Sequence, residues 1–355
     1  MAADAYEQVL YCHDAASGLR AIIAIHNTTL GPALGGIRMR PYASETDALE
    51  DVLRLAKAMT YKSAVAGLDL GGGKTVIIGG PEQKSEALFR SLGRFIQSMG
   101  GRYVAATDVG TTGDDLTYVR TETPYVTGVP VEWGGLGDTS ILTGLTVYLG
   151  MKAGAEAVWG SESLSGKRIA VQGAGKVGMH LMEHLHAEGA NLFVADVLPE
   201  SAARAADHFG ATIVPEGDIY DVECDVFAPC SLGAVLNEGT IPRLRCKLVC
   251  GGANNQLALD QDGERLNERG ILYAPDFVVN SGGVISAAAE LRKAPLAWAE
   301  GIARRVGSTT RGILAQAQKE GIAPSAAAVA AARERIERIG ATKRMLVPGD
   351  LRHGR

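Results

Sequence analysis

The sequence predicts an α/β protein of two domains, in which a smaller N-terminal α/β domain precedes an open parallel sheet covered by helices on both faces. Three observations carry this. The chain has 355 residues, more than a single core usually supports. From Arg168 onward short apolar runs alternate with helical stretches, the order that builds a parallel sheet. Between the halves, Gly134-Gly135-Leu136-Gly137-Asp138-Thr139-Ser140 reads as a linker and divides the chain into residues 1-135 and 136-324.

In the first domain, Gln8 to His13 and Leu19 to His26 are β-rich segments joined by a hairpin turn at Asp14-Ala15-Ala16-Ser17-Gly18. Leu30 to Arg38 holds too many glycines for a helix interior and is expected to form a loop. Ser44 caps a helix whose apolar positions Ala48, Val52, Leu55, Ala56 and Met59 keep helical spacing and lead to Lys62. A glycine turn at Gly71-Gly72-Gly73 then precedes Lys74 and the strand Thr75-Val76-Ile77-Ile78. A helix is expected from Ser85 to Met99, and the strand Tyr103 to Ala106 delivers Asp108, which either faces a cleft or caps the next helix. In the second domain the strands are Arg168 to Gln172, Leu192 to Asp196, Ala211 to Val214, Asp225 to Ala228, Lys247 to Cys250 and Ile271 to Tyr273. An Ala-rich helical region from Leu296 to Ile339 is broken near Pro324.

The 35 basic and 40 acidic residues give a net charge of −5 without long runs of either sign, so neither nucleic acid nor a membrane is the expected partner. No run approaches the roughly 20 apolar residues of a membrane span, and the N-terminus lacks a signal pattern, which favours the cytoplasm. Five scattered cysteines without Cys-x-x-Cys spacing read as reduced core thiols, and no metal is expected.

Two constellations carry chemistry. Lys74, between glycines and an apolar strand, is either a solvated lysine beside a turn or a partly desolvated one whose neutral form is favoured. The preceding glycines resemble the end of a phosphate-binding loop, but the required earlier glycine falls at Leu68, with Gly67 one place off. Gly173-x-Gly175-x-x-Gly178 follows a predicted strand and opens a helix, and Asp196 ends the next strand about twenty residues on. This is the pattern of a Rossmann turn, in which the glycines admit a pyrophosphate at a helix N-terminus. Asp196 would accept hydrogen bonds from a ribose and repel a 2′-phosphate, so the cofactor read here is NAD; the alternative is a glycine-rich turn that binds nothing. Together with Lys62, Lys74 and Asp108, this points to redox chemistry in a deep cleft between the domains. One lysine would pair with a substrate carboxylate, and that cation, with burial, would lower the pKa of the other into a range useful for acid-base catalysis.

The chain closely resembles the Glu/Leu/Phe/Val amino acid dehydrogenase family, and leucine dehydrogenases most of all. The likeness rests on Thr28 to Gly36, Met59 to Lys62, Gly71 to Thr75, Asp108 to Thr112, Phe227 to Cys230, Ala253 to Gln256 and Tyr273 to Asp276, in family order. The resemblance implies reversible, NAD-dependent oxidative deamination of an L-amino acid to the 2-oxo acid and ammonia. By position, Lys62 holds the substrate carboxylate with Asn255 and the backbone of Gly35, Lys74 activates water, and Asp108 engages the amino group. Leu34, Ala106, Val284 and Ala287 line the side-chain pocket. None is charged, so leucine, valine or isoleucine fits better than glutamate, and Ala287, where leucine dehydrogenases tend to carry valine, makes room for phenylalanine or tryptophan. Lys176, Val177, Ala228, Pro229, Cys230, Asn254 and Thr143 join Gly173, Gly175, Gly178 and Asp196 at the cofactor. The resemblance also implies an N-terminal substrate and oligomerisation domain completed by a C-terminal helix at about 325-355, a Rossmann domain at 136-324, and a homo-oligomer of two to eight subunits. Asp69 departs from the family's asparagine before the glycines, as does Asp138-Thr139-Ser140 from its Pro-Ser-Pro type of segment. A reading of another class is a non-catalytic sensor of NAD or an amino acid, against which the intact Lys62, Lys74 and Asp108 argue.

Overall fold

A computed structural model describes residues 5–231 and 233–342. The chain divides into two compact units: one runs to Gly137 and takes in Ser286–Leu296 and the chain from Ala332, and the other comprises Asp138–Ile285 and Ala297–Ala331. The first unit therefore draws Ser286–Leu296 out of the region that sequence assigned to 136-324. It also begins its C-terminal part in the middle of the helix Pro324–Thr342, because the first two turns of that helix belong to the other unit, where Ser325 packs on Gly263.

Five strands form the sheet of the first unit: β1 (Gln8–Asp14), β2 (Leu19–Asn27), β3 (Ala33–Arg40), β4 (Gly71–Ile78) and β5 (Tyr103–Thr107), in the order β1-β2-β4-β3-β5. β1, β2 and β4 run antiparallel, whereas β4, β3 and β5 are parallel. Residues alternate faces along a strand. Ile22 and Ala24 of β2 accordingly pack with Ala48, Val52 and Ala56 of α1 (Glu45–Val65), while Ile23 and Ile25 pack with Leu88, Leu92 and Ile96 of α2 (Glu86–Ser98) and Leu116 and Val119 of α3 (Gly113–Glu122). Helix starts follow the sequence signals: Ser44 and Ser85 accept hydrogen bonds from the amides of Asp47 and Leu88.

Two expectations are corrected here. The segment from Leu30 to Arg38 is not a loop but contains most of β3, an interior strand between β4 and β5, and Gly71-Gly72-Gly73 is the start of β4 rather than a turn. The glycines serve close packing. A Cβ on Gly35 would lie 1.7 Å from the Gly73 carbonyl oxygen, and one on Gly72 would lie 2.1 Å from the Thr60 nitrogen of α1. Backbone proximity, not turn geometry, explains them.

The second unit holds six parallel strands in the order β11-β10-β9-β6-β7-β8: β6 (Arg168–Gln172), β7 (Asn191–Ala195), β8 (Thr212–Ile213), β9 (Val226–Pro229), β10 (Leu248–Val249) and β11 (Leu272–Tyr273). Helices α4 (Ser140–Trp159) and α5 (Lys176–Ala187) pack on one face through Val147, Met151, Leu181 and Leu185 against Ile169, Val171 and Val194. Strand order reverses between β6 and β9, the position at which open α/β sheets hold ligands. Among the described residues, no helix is long and apolar enough to cross a membrane.

Candidate active site

Lys74 lies on β4 between Gly72 and Val76, and so on the face that carries α1. Leu34 of β3 pairs with Gly72, and Gly36 pairs with Ala106 of β5, which places Leu34, Gly36, Arg38 and Ala106 on that same face. Gly36 leaves a gap between the strands: a Cβ there would stand 2.7 Å from the Asp108 Cβ. Across it, Lys74 Nζ reaches Asp108 Oδ2 at 2.8 Å. The side chains of the lysine and the aspartate are only 6% and 15% exposed. Asp108 follows β5 and is not a helix cap; that place belongs to Thr112, which accepts from the Asp115 amide. The Asp108 amide donates to Thr111 Oγ1, and that hydroxyl donates to the Ile37 carbonyl, tying the turn to β3.

Arg38 approaches from the other side, with Nε 2.9 Å from Asp108 Oδ2 and Nη1 3.1 Å from Asp51 Oδ2 of α1. Tyr42 and Arg54 also donate to Asp51, at 2.8 and 2.9 Å. The result is an alternating row, Lys74, Asp108, Arg38, Asp51, Arg54, most of it withdrawn from water. Burial drives the Lys74 pKa below the ordinary lysine value; Asp108 opposes this and Arg38 adds to it. Burial alone would raise the Asp108 carboxyl, yet Lys74 and Arg38 outweigh it and hold the pKa at about 2. Arg38 is thus a cation that weighs on Lys74, a part that sequence reasoning gave to Lys62 alone. Arg38 and Asp51 went unnoticed in the sequence, although the alternation Gly36-Ile37-Arg38 places an arginine on the lysine's face once β3 is known to be a strand.

Lys62 sits in the last turn of α1, half-buried, two residues beyond Thr60, whose hydroxyl meets His26 Nδ1 at 2.8 Å. The Gly35 carbonyl accepts a hydrogen bond from Tyr103 at 2.7 Å. Val284 and Ala287 are buried on the helix Gly282–Leu291, with Val284 in the second unit and Ala287 in the first. Asn255, in the second unit, adopts a left-handed backbone with φ 51°, which asparagine tolerates, and its carbonyl accepts from the Ala234 amide.

In the second unit the three glycines of the turn after β6 have distinct surroundings. Gly173 has φ 103° and its absent Cβ would be 2.9 Å from the Cys230 backbone; a Cβ on Gly178 would be 2.1 Å from the Gly173 carbonyl oxygen. Gly175 faces open space and caps α5 without a side chain, so the first-turn amides of Lys176, Val177 and Gly178 form an anion-attracting helix start. Asp196, just past β7, accepts from the Ala174 and Leu198 amides at 2.7 and 2.9 Å, which anchors its carboxylate beside the glycine turn. The Lys176 side chain is 78% exposed and pairs with Asp138 at 3.2 Å. Ala228 and Pro229 end β9, and the Pro229 carbonyl accepts from the Ala253 amide. Cys230 Sγ accepts from the Gly252 amide, and burial pushes its thiol up to about 11. Asn254 Oδ1 accepts from Asn280 Nδ2 at 2.8 Å, while Thr143 Oγ1 donates to the Thr139 carbonyl. Cradle and adjacent carboxylate thus fit a dinucleotide.

Comparison with known proteins agrees with this geometry. Residues 6–125 match the family model of the Glu/Leu/Phe/Val dehydrogenase dimerisation domain, and residues 198–343 that of glutamate/leucine/phenylalanine/valine dehydrogenase. The chain is 53% identical over 343 residues to leucine dehydrogenase of Thermoactinomyces intermedius, covering 95% of this chain and 93% of that one. It is 50% identical over 335 residues to valine dehydrogenase of Streptomyces virginiae, covering 93% and 94%. The crystal structure of L-tryptophan dehydrogenase from Nostoc punctiforme superposes with a TM-score of 0.83 at 42% identity, over 94% of this chain and 96% of that one. With a buried lysine-aspartate pair in one unit, a glycine cradle in the other and relatives of this identity over almost its whole length, the chain belongs to the Glu/Leu/Phe/Val dehydrogenase family of amino acid dehydrogenases.

Proposed function

We propose that the protein oxidises an apolar L-amino acid with NAD, giving the 2-oxo acid and ammonia, reversibly. The observation that carries this reading is the buried Lys74–Asp108 pair, 2.8 Å apart, on a sheet face shared with Leu34 and Ala106. A pair of titratable groups in an apolar setting suits proton transfer to a substrate whose side chain is itself apolar. None of Leu34, Ala106, Val284 and Ala287 could neutralise a second substrate carboxylate, and a buried unpaired charge costs several kcal/mol.

Lys62 binds the substrate carboxylate, with Asn255 and the Gly35 backbone assisting. Asp108, ionised at any working pH, engages the substrate amino group. When bound, the cofactor supplies the hydride-accepting ring. Loss of hydride from Cα of the neutral amine leaves a protonated imine, and Lys74 in its neutral form takes a proton from the water that attacks it. The ammonium formed on Lys74 then gives that proton to the departing nitrogen and returns to its neutral form, with the ionised Asp108 holding Lys74 in place for the transfer. Gly173, Gly175 and the amides of Lys176, Val177 and Gly178 hold the pyrophosphate. Asp196 accepts from the ribose hydroxyls and disfavours a 2′-phosphate, which supports NAD over NADP. A matching dimerisation-domain model supports a homo-oligomer.

A panel of L-amino acids incubated with NAD and with NADP, followed at the nicotinamide absorbance, tests this. Turnover is expected with leucine, valine and isoleucine, extending to phenylalanine or tryptophan through the room at Ala287, and glutamate should be the poorest. NAD binding without turnover of any amino acid would overturn the assignment in favour of a sensor.

A further inference from the structure

We propose that Arg38 is a positioning residue of the reaction, fixing the Asp108 carboxylate against Lys74 and itself fixed by Asp51. The inference rests on the catalytic reading of Lys74 and Asp108 given above. Arg38 Nε and Lys74 Nζ both meet Asp108 Oδ2, at 2.9 and 2.8 Å, so the carboxylate is gripped from two strands at one oxygen. The other arm of the guanidinium, Nη1, lies 3.1 Å from Asp51 Oδ2, with both side chains 12% exposed. A single planar group thereby spans two carboxylates on opposite sides, a geometry that a lysine cannot reproduce. Asp51 is held in turn by Tyr42 and Arg54, so the arrangement is braced from β3, α1 and the intervening loop.

This clamp has an electrostatic consequence for the cycle. The charged and titratable groups facing the pair are Arg38 of β3, Asp51 and Arg54 of α1, and Tyr42 between them; Lys62 ends α1, and His26 of β2 meets Thr60. Tyr103 of β5 bonds Thr75 from the opposite face of the sheet. When Lys74 releases its proton, Arg38 remains as the permanent cation on Asp108, so the aspartate stays ionised and in place. The same positive charge opposes protonation of Lys74. Arg38 thus supports the basic form of the lysine and the ionised form of the aspartate together.

The test is the pH profile of kcat/KM and of kcat for Arg38→Met, Arg38→Lys and Asp51→Asn in the full-length protein, with the best amino acid of the panel and with NAD affinity measured separately by fluorescence. Arg38→Met should lower kcat on the order of a hundredfold, the scale of a misplaced catalytic group. It should also move the acid limb of kcat/KM to higher pH, because Lys74 then holds its proton longer. Arg38→Lys, which keeps charge but loses the span, should lower kcat with a smaller movement of the limb, and Asp51→Asn should shift kcat in the same direction. NAD affinity should not change in any of them. Limbs that coincide with the wild-type profile, or losses confined to KM, would overturn the proposal. If Arg38→Met fails to fold by circular dichroism, Arg38→Lys and Asp51→Asn decide the matter alone. A wild-type protein without turnover would defeat the parent reading and this one with it, whereas active wild type with unaffected variants defeats only this one.

Discussion

At the scale of single residues, the acid-base role proposed for Lys74 comes down to how an ammonium group is kept out of water without being locked into its charged state. Burial disfavours charged Lys74 and Asp108 favours it, with Arg38 tipping the balance downward. The acid limb of kcat/KM should therefore lie below the ordinary lysine value of 10.5, and Lys74→Ala should abolish turnover while leaving NAD affinity intact, as a titration of nicotinamide binding would show. Asp108 makes a prediction for stability. Its pKa in the folded state is depressed to about 2, so its contribution is present above the unfolded value near 4 and is lost as pH falls through about 2. Chemical denaturation should show stability declining by ~2 kcal/mol across that window, a decline that Asp108→Asn flattens. Asp196→Ala should weaken NAD binding without altering the circular dichroism spectrum, since the carboxylate is anchored by the Ala174 and Leu198 amides at the turn's rim. Sequence reasoning singled out these residues because motif and spacing mark them. It missed Arg38 and Asp51 because an ion pair between a strand and the following helix leaves no periodic trace, and it overlooked the reason for Asp69, which binds Arg335 and Arg292 at 3.0 and 3.4 Å.

At the scale of elements, the helices were legible and the glycine-rich strands were not. Ser44, Ser85 and the 3.6-residue spacing gave α1 and α2 nearly to the residue, as apolar runs gave β6 and β7. β3 and the start of β4 defeated the same reasoning because glycine has low strand propensity, and only the tertiary neighbours reveal why it is there. Gly72 illustrates this: without a Cβ, Thr60 of α1, two residues before Lys62, comes directly onto the strand. Gly72→Ala should cost about 1–3 kcal/mol in denaturant melts through overpacking, and should raise KM for the amino acid by displacing α1. An exposed-cap change, Ser44→Ala, should cost about 1 kcal/mol and leave KM alone.

At the scale of the whole molecule, one sheet carries the Lys74–Asp108 pair proposed for acid-base work and the other the glycine turn proposed to hold the cofactor. The first unit is not a continuous stretch of sequence. Glu290 accepts from the Gly128 and Leu136 amides, and Ala332 with Ile336 and Ile339 closes an apolar cluster on Leu30, Tyr61, Ala64 and Val65. These partners are synthesised at opposite ends of the chain. While the polypeptide emerges from the ribosome, the α1 surface around Leu30 and Ala64 waits uncovered through the production of the entire second unit, a long exposure for an apolar seam. A chain ending before Ala332 should accordingly bind a hydrophobic dye that the full-length protein does not, and should melt at lower temperature. The unit that is translated first is thus the one finished last, and the sheet that carries Lys74 and Asp108 is completed only after the second sheet has already had time to fold.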